Sequence, residues 1–303
     1  METEAALPLS GKKIGIFGKG GSGKSTCVVL LANILKDRGY GVCVLDADST
    51  NMGIPQALGI DSPPESLIDY FGGMVFRGGA VTCPVDDPTP LEGAVLSLKR
   101  LDGRYWAKTR SGIVLLVAGK IGRQGPGEGC DGPLSKIARD IKIDIPEVRP
   151  PVILEDFKAG FEDSARGVIT GLDWAVVIVD PTIASIQMAI NMKKIVEQIK
   201  AGERPATAHL NSSDLIETAH KLYAEAHIKA TLFVFNKIAD RESETYLREE
   251  LAKEGIKPLG VIRKHKSISA AWLRGKPLDM RAETETGQEI IKGMEAAERT
   301  CTH

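Results

Sequence analysis

The chain has 303 residues, with 39 Lys and Arg against 40 Asp and Glu, a formal net charge of −1 and 43% hydrophobic residues. That length can bury a substantial core, and the interspersed charge lacks the basic footprint of a dedicated nucleic-acid binder. Residues 1–10 lack the basic-then-apolar layout of a signal peptide and no apolar run approaches the ~20 residues of a membrane span, so a cytoplasmic protein without membrane contact is expected. Five cysteines, at 27, 43, 83, 130 and 301, are scattered and odd in number, which suits reduced thiols better than a disulfide framework.

Short apolar, β-branched runs predict strands at 13–17, 41–45, 113–117, 152–154, 175–179, 231–235 and 258–262. Helical periodicity predicts helices at 24–38, 134–141, 164–170, 183–200, 213–226, 242–254, 268–274 and 286–299. Strands buried on both faces and alternating with helices imply an α/β fold: a doubly wound, mostly parallel sheet of about seven strands. Nothing divides the chain, so one domain over 1–303 is expected, interrupted by insertions at about 62–110 and 201–228. The first insertion is rich in Pro, Gly and Asp, and Asp102-Gly103 predicts a hairpin between 95–101 and 104–109. The second carries His209 and His220, with His227 at its end. Their spacing lacks carboxylate or cysteine companions in ligand register, so they read as solvated surface histidines. Ile290, Ile291, Met294 and Ala297 lie loosely on one face of the last helix. Glu289, Glu295 and Glu298 make that helix a poor ligand for anionic lipid, so it reads as core packing.

The chemistry begins where the first strand ends, in Gly18-Lys-Gly-Gly-Ser-Gly-Lys-Ser-Thr26. The spacing G-x-x-x-x-G-K-[ST] defines a phosphate-binding loop. Side chains at Gly18, Gly20, Gly21 and Gly23 would keep backbone N–H groups, Ser22 among them, from converging on phosphate oxygens. The helix that follows adds its N-terminal partial charge beneath the phosphates. Lys24 neutralises the β- and γ-phosphates, Ser25 is placed for Mg²⁺, and Thr26 completes the loop. The second strand ends in Leu45-Asp-Ala-Asp-Ser49, and acids at a strand's C-terminal end face the ligand crevice of an open α/β sheet. The alternative for Asp46 and Asp48 is capping of a helix near 52–58. Asp156 closes another strand before a Gly-containing loop and is the expected Mg²⁺ aspartate of the site. Asp180, ending the strand at 175–179, ranks second to it, because Pro181-Thr182 and Ser185 suit an N-cap. Asn236 ends a further strand with an amide able to read the N6 and N7 edge of adenine, with Lys237 beside it. A guanine-reading N-K-x-D sequence would need an aspartate where Ala239 stands.

Lys19, a second lysine within the loop, carries a resemblance. Lys19-Gly-Gly-Ser-Gly-Lys24-Ser-Thr resembles the deviant Walker A motif of the P-loop ATPases that include nitrogenase iron protein, septum-site and plasmid-partition ATPases and carbon monoxide dehydrogenase maturation ATPases. The resemblance implies a nucleotide-dependent homodimer, in which Lys19 crosses to the partner's ATP and stabilises the transferring phosphoryl group. It implies that Asp48 positions or deprotonates the attacking water, with Asp46 supporting the loop or the magnesium shell, and that Asn236 contacts the base. Asp156, Ala159, Gly160, Glu162, Arg166 and Gly167 match the D-x-x-A-G-x-E-x-x-x-R-G stretch of the maturation ATPases. Gly160 would let the loop sense the γ-phosphate, making hydrolysis a conformational change.

Cys130 lies where those ATPases resemble G-C-x-C and bind nickel at the dimer axis. Nitrogenase iron protein resembles G-C-x-G there and ligates an iron-sulfur cluster. This chain has the single-cysteine version, and residues 161–166 hold no cysteine to complete a four-thiolate cluster. Two readings of Cys130 stand: a thiophilic-metal ligand for Ni²⁺ or Zn²⁺ across a dimer, with Asp131 or Cys83, or an inert thiol. The leading expectation is a Mg²⁺-dependent ATPase acting as a metallocenter-assembly factor for a client metalloenzyme such as carbon monoxide dehydrogenase. The alternatives are a partition-type regulatory ATPase and an ATP-dependent electron donor.

Overall fold

β1 (Lys13–Gly18) and β8 (Trp174–Val179) are buried along their whole length, as strands covered by helices on both sheet faces must be. The computed structural model describes residues 7–120, 130–146, 149–160 and 167–301. Residues 125–129 of the Cys130 loop, Glu162, Arg166 and the first three residues of the expected helix at 164–170 lie outside them. The remainder of that helix is a 3₁₀ turn, Val168–Gly171.

All seven expected strands form and join one sheet of eight. They are β1, β2 (Val42–Asp46), β5 (Val114–Val117), β7 (Val152–Asp156), β8, β9 (Ala230–Ile238) and β10 (Pro258–Arg263), with a short β4 (Ala107–Lys108) added at one edge. The order β10-β9-β8-β1-β7-β2-β5-β4 is parallel except for β4 against β5. The chain winds outward from β1 to β2 and β5, returns to β7 beside β1, and continues to β8 on the other side. The switch point therefore lies at the C-terminal ends of β1, β7 and β8, where open α/β sheets bind ligands.

Alternation along the strands divides the core in two. Phe17, Leu45, Ile153 and Val177 face α4 (Gly132–Asp140), α5 (Ile183–Lys200) and α7 (Arg241–Ala252). Ile14, Ile16, Val44, Leu154 and Ile178 face α1 (Lys24–Asp37) and α9 (Thr284–Cys301). Helix α9 packs inward through Ile290, Ile291 and Met294, as its sequence suggests. Glu295 and Glu298 are also buried, each satisfied by partners distant in sequence. Glu295 accepts from the Tyr40 hydroxyl at 2.7 Å and from Arg38 Nη2 at 2.7 Å. Glu298 accepts from Trp174 Nε1 at 2.8 Å and pairs with Lys12 and Lys229.

The expected hairpin around Asp102-Gly103 does not form. Asp102 instead caps a 3₁₀ turn, Gly103–Tyr105, accepting from Arg104 N at 3.1 Å. That turn buries Tyr105 among Leu96, Leu98 and Leu101. β3 (Val95–Ser97) pairs in parallel with β6 (Lys142–Asp144), and the antiparallel partner of β4 is β5. A turn signal fixed the bend, and burial of Tyr105 chose a different fold-back. The second insertion holds α6 (Ser213–Ala224), and α2 (Ile54–Ala57), α3 (Leu67–Tyr70) and α8 (Lys266–Leu273) complete the helices of the described residues.

Beneath the phosphate loop the Phe17 and Phe157 rings stack with centroids 4.8 Å apart. A methyl on Gly15 would come within 2.6 Å of Leu172, 2.8 Å of Phe17 and 2.9 Å of Phe157. Gly15→Ala is expected to destabilise the fold by about 1–3 kcal/mol, read as a lower urea midpoint at unchanged slope. An unchanged midpoint would show that this layer yields freely.

Candidate nucleotide site

The strand register assembles the site. Ile16 of β1 lies beside Asp156 of β7, and Asp156 lies beside Asp46 of β2. The loop after β1 and the acids ending β2 and β7 therefore open into one crevice. Gly23, at φ +94°, turns the loop into α1, and a Cβ there would collide with the Asn236 amide. Only glycine meets both demands. Lys24 is 6% exposed, Ser22 is fully buried, and Gly20 and Gly21 are open to solvent.

Ser25 Oγ donates to Asp156 Oδ2 at 2.6 Å. Asp156 is fully buried, and its Oδ1 has no hydrogen-bond partner among the described residues. Burial pushes its carboxyl up to about 6, against the pull of Lys24 and the Ser25 hydroxyl. A buried carboxylate oxygen left free beside a serine hydroxyl fits a Mg²⁺ ion with its water shell, since that ion prefers hard oxygen ligands. Asp180, the competing acid, is engaged in accepting from Thr182 Oγ1 at 2.9 Å and from Ser185, at the start of α5.

Two residues of the site were missing from the sequence reading. Lys120, just past β5, is 8% exposed at its side chain. Its ammonium reaches Asp46 Oδ2 at 2.7 Å, the Asp48 carbonyl at 2.6 Å and the Asn51 carbonyl. Asn51 donates to Ser25 Oγ at 2.7 Å, and its Oδ1 accepts from Gly53 N at 3.0 Å, ahead of α2. Asp48 caps the loop rather than that helix: its Oδ1 accepts from Thr50 N at 2.9 Å, Thr50 Oγ1 at 2.8 Å and Asn51 N at 3.2 Å. Asn51 could have been noticed as a polar residue three positions after Asp48. Lys120 leaves no local signal, because its partners lie some 70 residues away in sequence.

Lys19 is half-buried, and its ammonium has no hydrogen bond or ion pair among the described residues. Asn236 is 2% exposed and braces the loop: it donates to the Ser22 carbonyl at 2.7 Å and accepts from Lys237 N at 2.9 Å. Its amide nitrogen and its amide oxygen thus each hold one protein partner, which leaves one N–H and one lone pair of the amide beyond these bonds. Lys237, in the left-handed region at φ +60°, reaches the Gly21 carbonyl. Thr26 accepts from Trp272 Nε1 at 2.9 Å. Cys130 is exposed just ahead of α4, and among the described residues no three His, Cys, Asp or Glu side chains form a metal-ready group. His209 bonds the Val85 carbonyl at 2.9 Å.

A doubly wound sheet with this loop and these strand-end acids defines a P-loop nucleotide-binding protein. The chain belongs to the CobQ/CobB/MinD/ParA nucleotide binding domain family, which it matches over residues 16–278. An uncharacterized ATP-binding protein of Methanocaldococcus jannaschii is 30% identical over 92% of this chain and 98% of its own. The carbon monoxide dehydrogenase accessory protein CooC of Rhodospirillum rubrum is 30% identical over 62% of this chain and 70% of its own. Among solved structures, the cell division ATPase MinD of Pyrococcus furiosus superposes with a TM-score of 0.57 at 19% identity, covering 94% of this chain and 99% of that one. Among the described residues no helix is long and apolar enough to cross a membrane.

Asp46 carries a pH consequence. Burial pushes its carboxyl up to about 7, against the opposing pull of Lys120. Between the ordinary carboxylate value and about 7 the folded chain therefore holds a proton that the unfolded chain has released. That contribution to stability is present at the acidic end of the window and is lost as pH rises through it. The stability of wild type relative to Asp46→Asn should fall from pH 4 to pH 7 in thermal unfolding series. A difference independent of pH would show that Lys120 keeps Asp46 ionised throughout.

Proposed function

We propose that the protein is a Mg²⁺-dependent ATPase, working as a homodimer, that couples nucleotide state to the delivery of a thiophilic metal such as nickel or zinc to a client metalloenzyme. One observation carries the coupling: Lys158, two residues past Asp156, pairs with Asp131 at 2.5 Å, and Asp131 is the neighbour of Cys130. The loop that meets the γ-phosphate and the exposed thiol are thereby joined by one ion pair. The similarity to the accessory protein CooC supports carbon monoxide dehydrogenase as the type of client.

In this reading the backbone N–H groups from Gly20 to Gly23 and the N-terminus of α1 hold the β-phosphate, while Lys24 neutralises the β- and γ-oxygens. Ser25 and Asp156 would hold Mg²⁺, which supplies charge neutralisation on the β- and γ-oxygens. Asp48, fixed by Thr50 and by Asn51 N, orients the attacking water. Lys19 answers the partner's developing phosphoryl charge, in keeping with an ammonium that has no partner among the described residues. Gly160 N donates to the Gly18 carbonyl at 3.2 Å, so the loop after Asp156 rests on the phosphate loop itself. Movement there on hydrolysis would pull on Lys158 and hence on the Cys130 turn.

Nickel or zinc titration of the purified chain should show binding strengthened by Mg-ATP and abolished by Cys130→Ser. Lys158→Met should leave ATP turnover intact while removing that nucleotide dependence. Metal stoichiometry indifferent to both substitutions would remove cargo delivery from this reading. Lys19→Ala is expected to lower kcat by on the order of 10³-fold with ATP affinity retained, and a kcat near wild type would remove the cross-subunit role.

A further inference from the structure

We propose that Cys83, from the first insertion, is the second sulfur ligand of the Cys130 site, so that each protomer presents a pair of thiols to a thiophilic divalent cation. The inference rests on the cargo reading above and deepens it.

The geometry turns on Gly132, the first residue of α4. A Cβ on residue 132 would overlap the Cys83 sulfur and stand 2.7 Å from Cys83 Cβ and 3.1 Å from its Cα. The Cys83 side chain therefore rests on the backbone two residues from Cys130, and two residues of chain span at most about 7 Å. Cys83 is half-buried and Cys130 exposed, so the pair has one anchored and one accessible sulfur. In a G-C-x-C pattern the second cysteine would stand at 132. This chain has glycine there, and a sulfur from a different segment occupies the space that its side chain would fill.

Two further features suit a ligand site. The Cys83 turn is strapped along α4. Lys136, 4% exposed, donates to Thr82 Oγ1 at 2.7 Å and to both the Asp87 carbonyl and Asp87 Oδ2 at 3.1 Å, and Arg139 donates to the Thr89 carbonyl at 3.1 Å. A turn so held loses little freedom on binding. Asp131, 7% exposed, keeps its Oδ1 without a hydrogen-bond partner among the described residues while Oδ2 takes Lys158. That leaves a buried acceptor atom next to Cys130.

Binding is a proton exchange: each S–H bond breaks as a sulfur–metal bond forms, two protons leave per cation, and no electrons are transferred. The described residues of one chain supply no ready group of three ligands. The two sulfurs therefore leave the metal's coordination open to a second copy or to the client, as suits cargo that must be released.

Co²⁺ serves as the probe, followed by its thiolate charge-transfer absorption in the full chain with Mg-ATP. Cys83→Ser and Cys130→Ser should each weaken Co²⁺ binding by more than about 100-fold, since loss of a direct ligand exceeds the 10–100-fold typical of an outer-shell partner. ATP affinity should be unchanged in both. The exchange variant Cys83→Gly/Gly132→Cys moves the sulfur onto α4 and should restore binding. A Cys83→Ser chain that titrates like wild type while Cys130→Ser does not would overturn the pairing and leave the cargo reading standing. A folded exchange variant as weak as Cys83→Ser would also overturn it. Wild type showing no thiolate absorption would remove both readings together.

Discussion

Three carboxylates meet at the C-terminal edge of the sheet, and the site depends on how their mutual repulsion is contained. Asp46, Asp48 and Asp156 are all less than a tenth exposed; after burial itself, Asp156 and Asp48 raise the proton affinity of Asp46, and Asp48 raises that of Asp156. In a dry crevice such charges are tolerated only with cations beside them. Lys24 enters from the phosphate loop and Lys120 from the end of β5. Lys120 does more than neutralise, because its three bonds join the β2 acid to two carbonyls of the following loop. The loop carrying Asp48 is thereby set against the sheet by the protein's own contacts. Preorganisation of this kind lowers the cost of arranging a water and a metal at the moment of reaction.

The most legible parts of the sequence were those whose physics is local. The phosphate loop is a contiguous motif with a strand before it and a helix after it. The seven sheet strands are near-continuous apolar runs, because both faces are covered. Pro181-Thr182 and Ser185 announce an N-cap, and Thr182 does cap α5 while both hydroxyls donate to Asp180. Legibility ended where partners are distant in sequence. Glu295 and Glu298 look like surface acids on a helix and are buried, because Arg38, Tyr40, Lys12, Trp174 and Lys229 come to meet them. Asp102-Gly103 gave a correct turn and a wrong partner, since strand pairing was decided by Ile143, Leu96 and the burial of Tyr105.

Asn236 shows how a strand-end amide can brace the loop beside it. An amide at a strand end can read a base edge, and here it also holds the phosphate loop. It bonds the Ser22 carbonyl while its bulk forbids a side chain at Gly23. The loop's shape is therefore dictated as much by β9 as by its own glycines. Lys237, held in a left-handed conformation, ties the same strand end to Gly21.

The two insertions form a continuous mechanical path from this loop rather than independent ornaments. Gly160 rests on Gly18, and Lys158 joins Asp131 at the start of α4. Along α4, Lys136 and Arg139 grip the segment from Thr82 to Thr89, and His209 of the second insertion holds the Val85 carbonyl. Apart from the exposed His209 bond, every link is a hydrogen bond or ion pair with one member buried or partly buried, where such contacts are stronger than at a solvated surface. These links run from the residues after Asp156 to the turns that carry Cys130 and Cys83. Under the proposed function, this path would carry nucleotide-dependent movement to sulfur atoms outside the crevice.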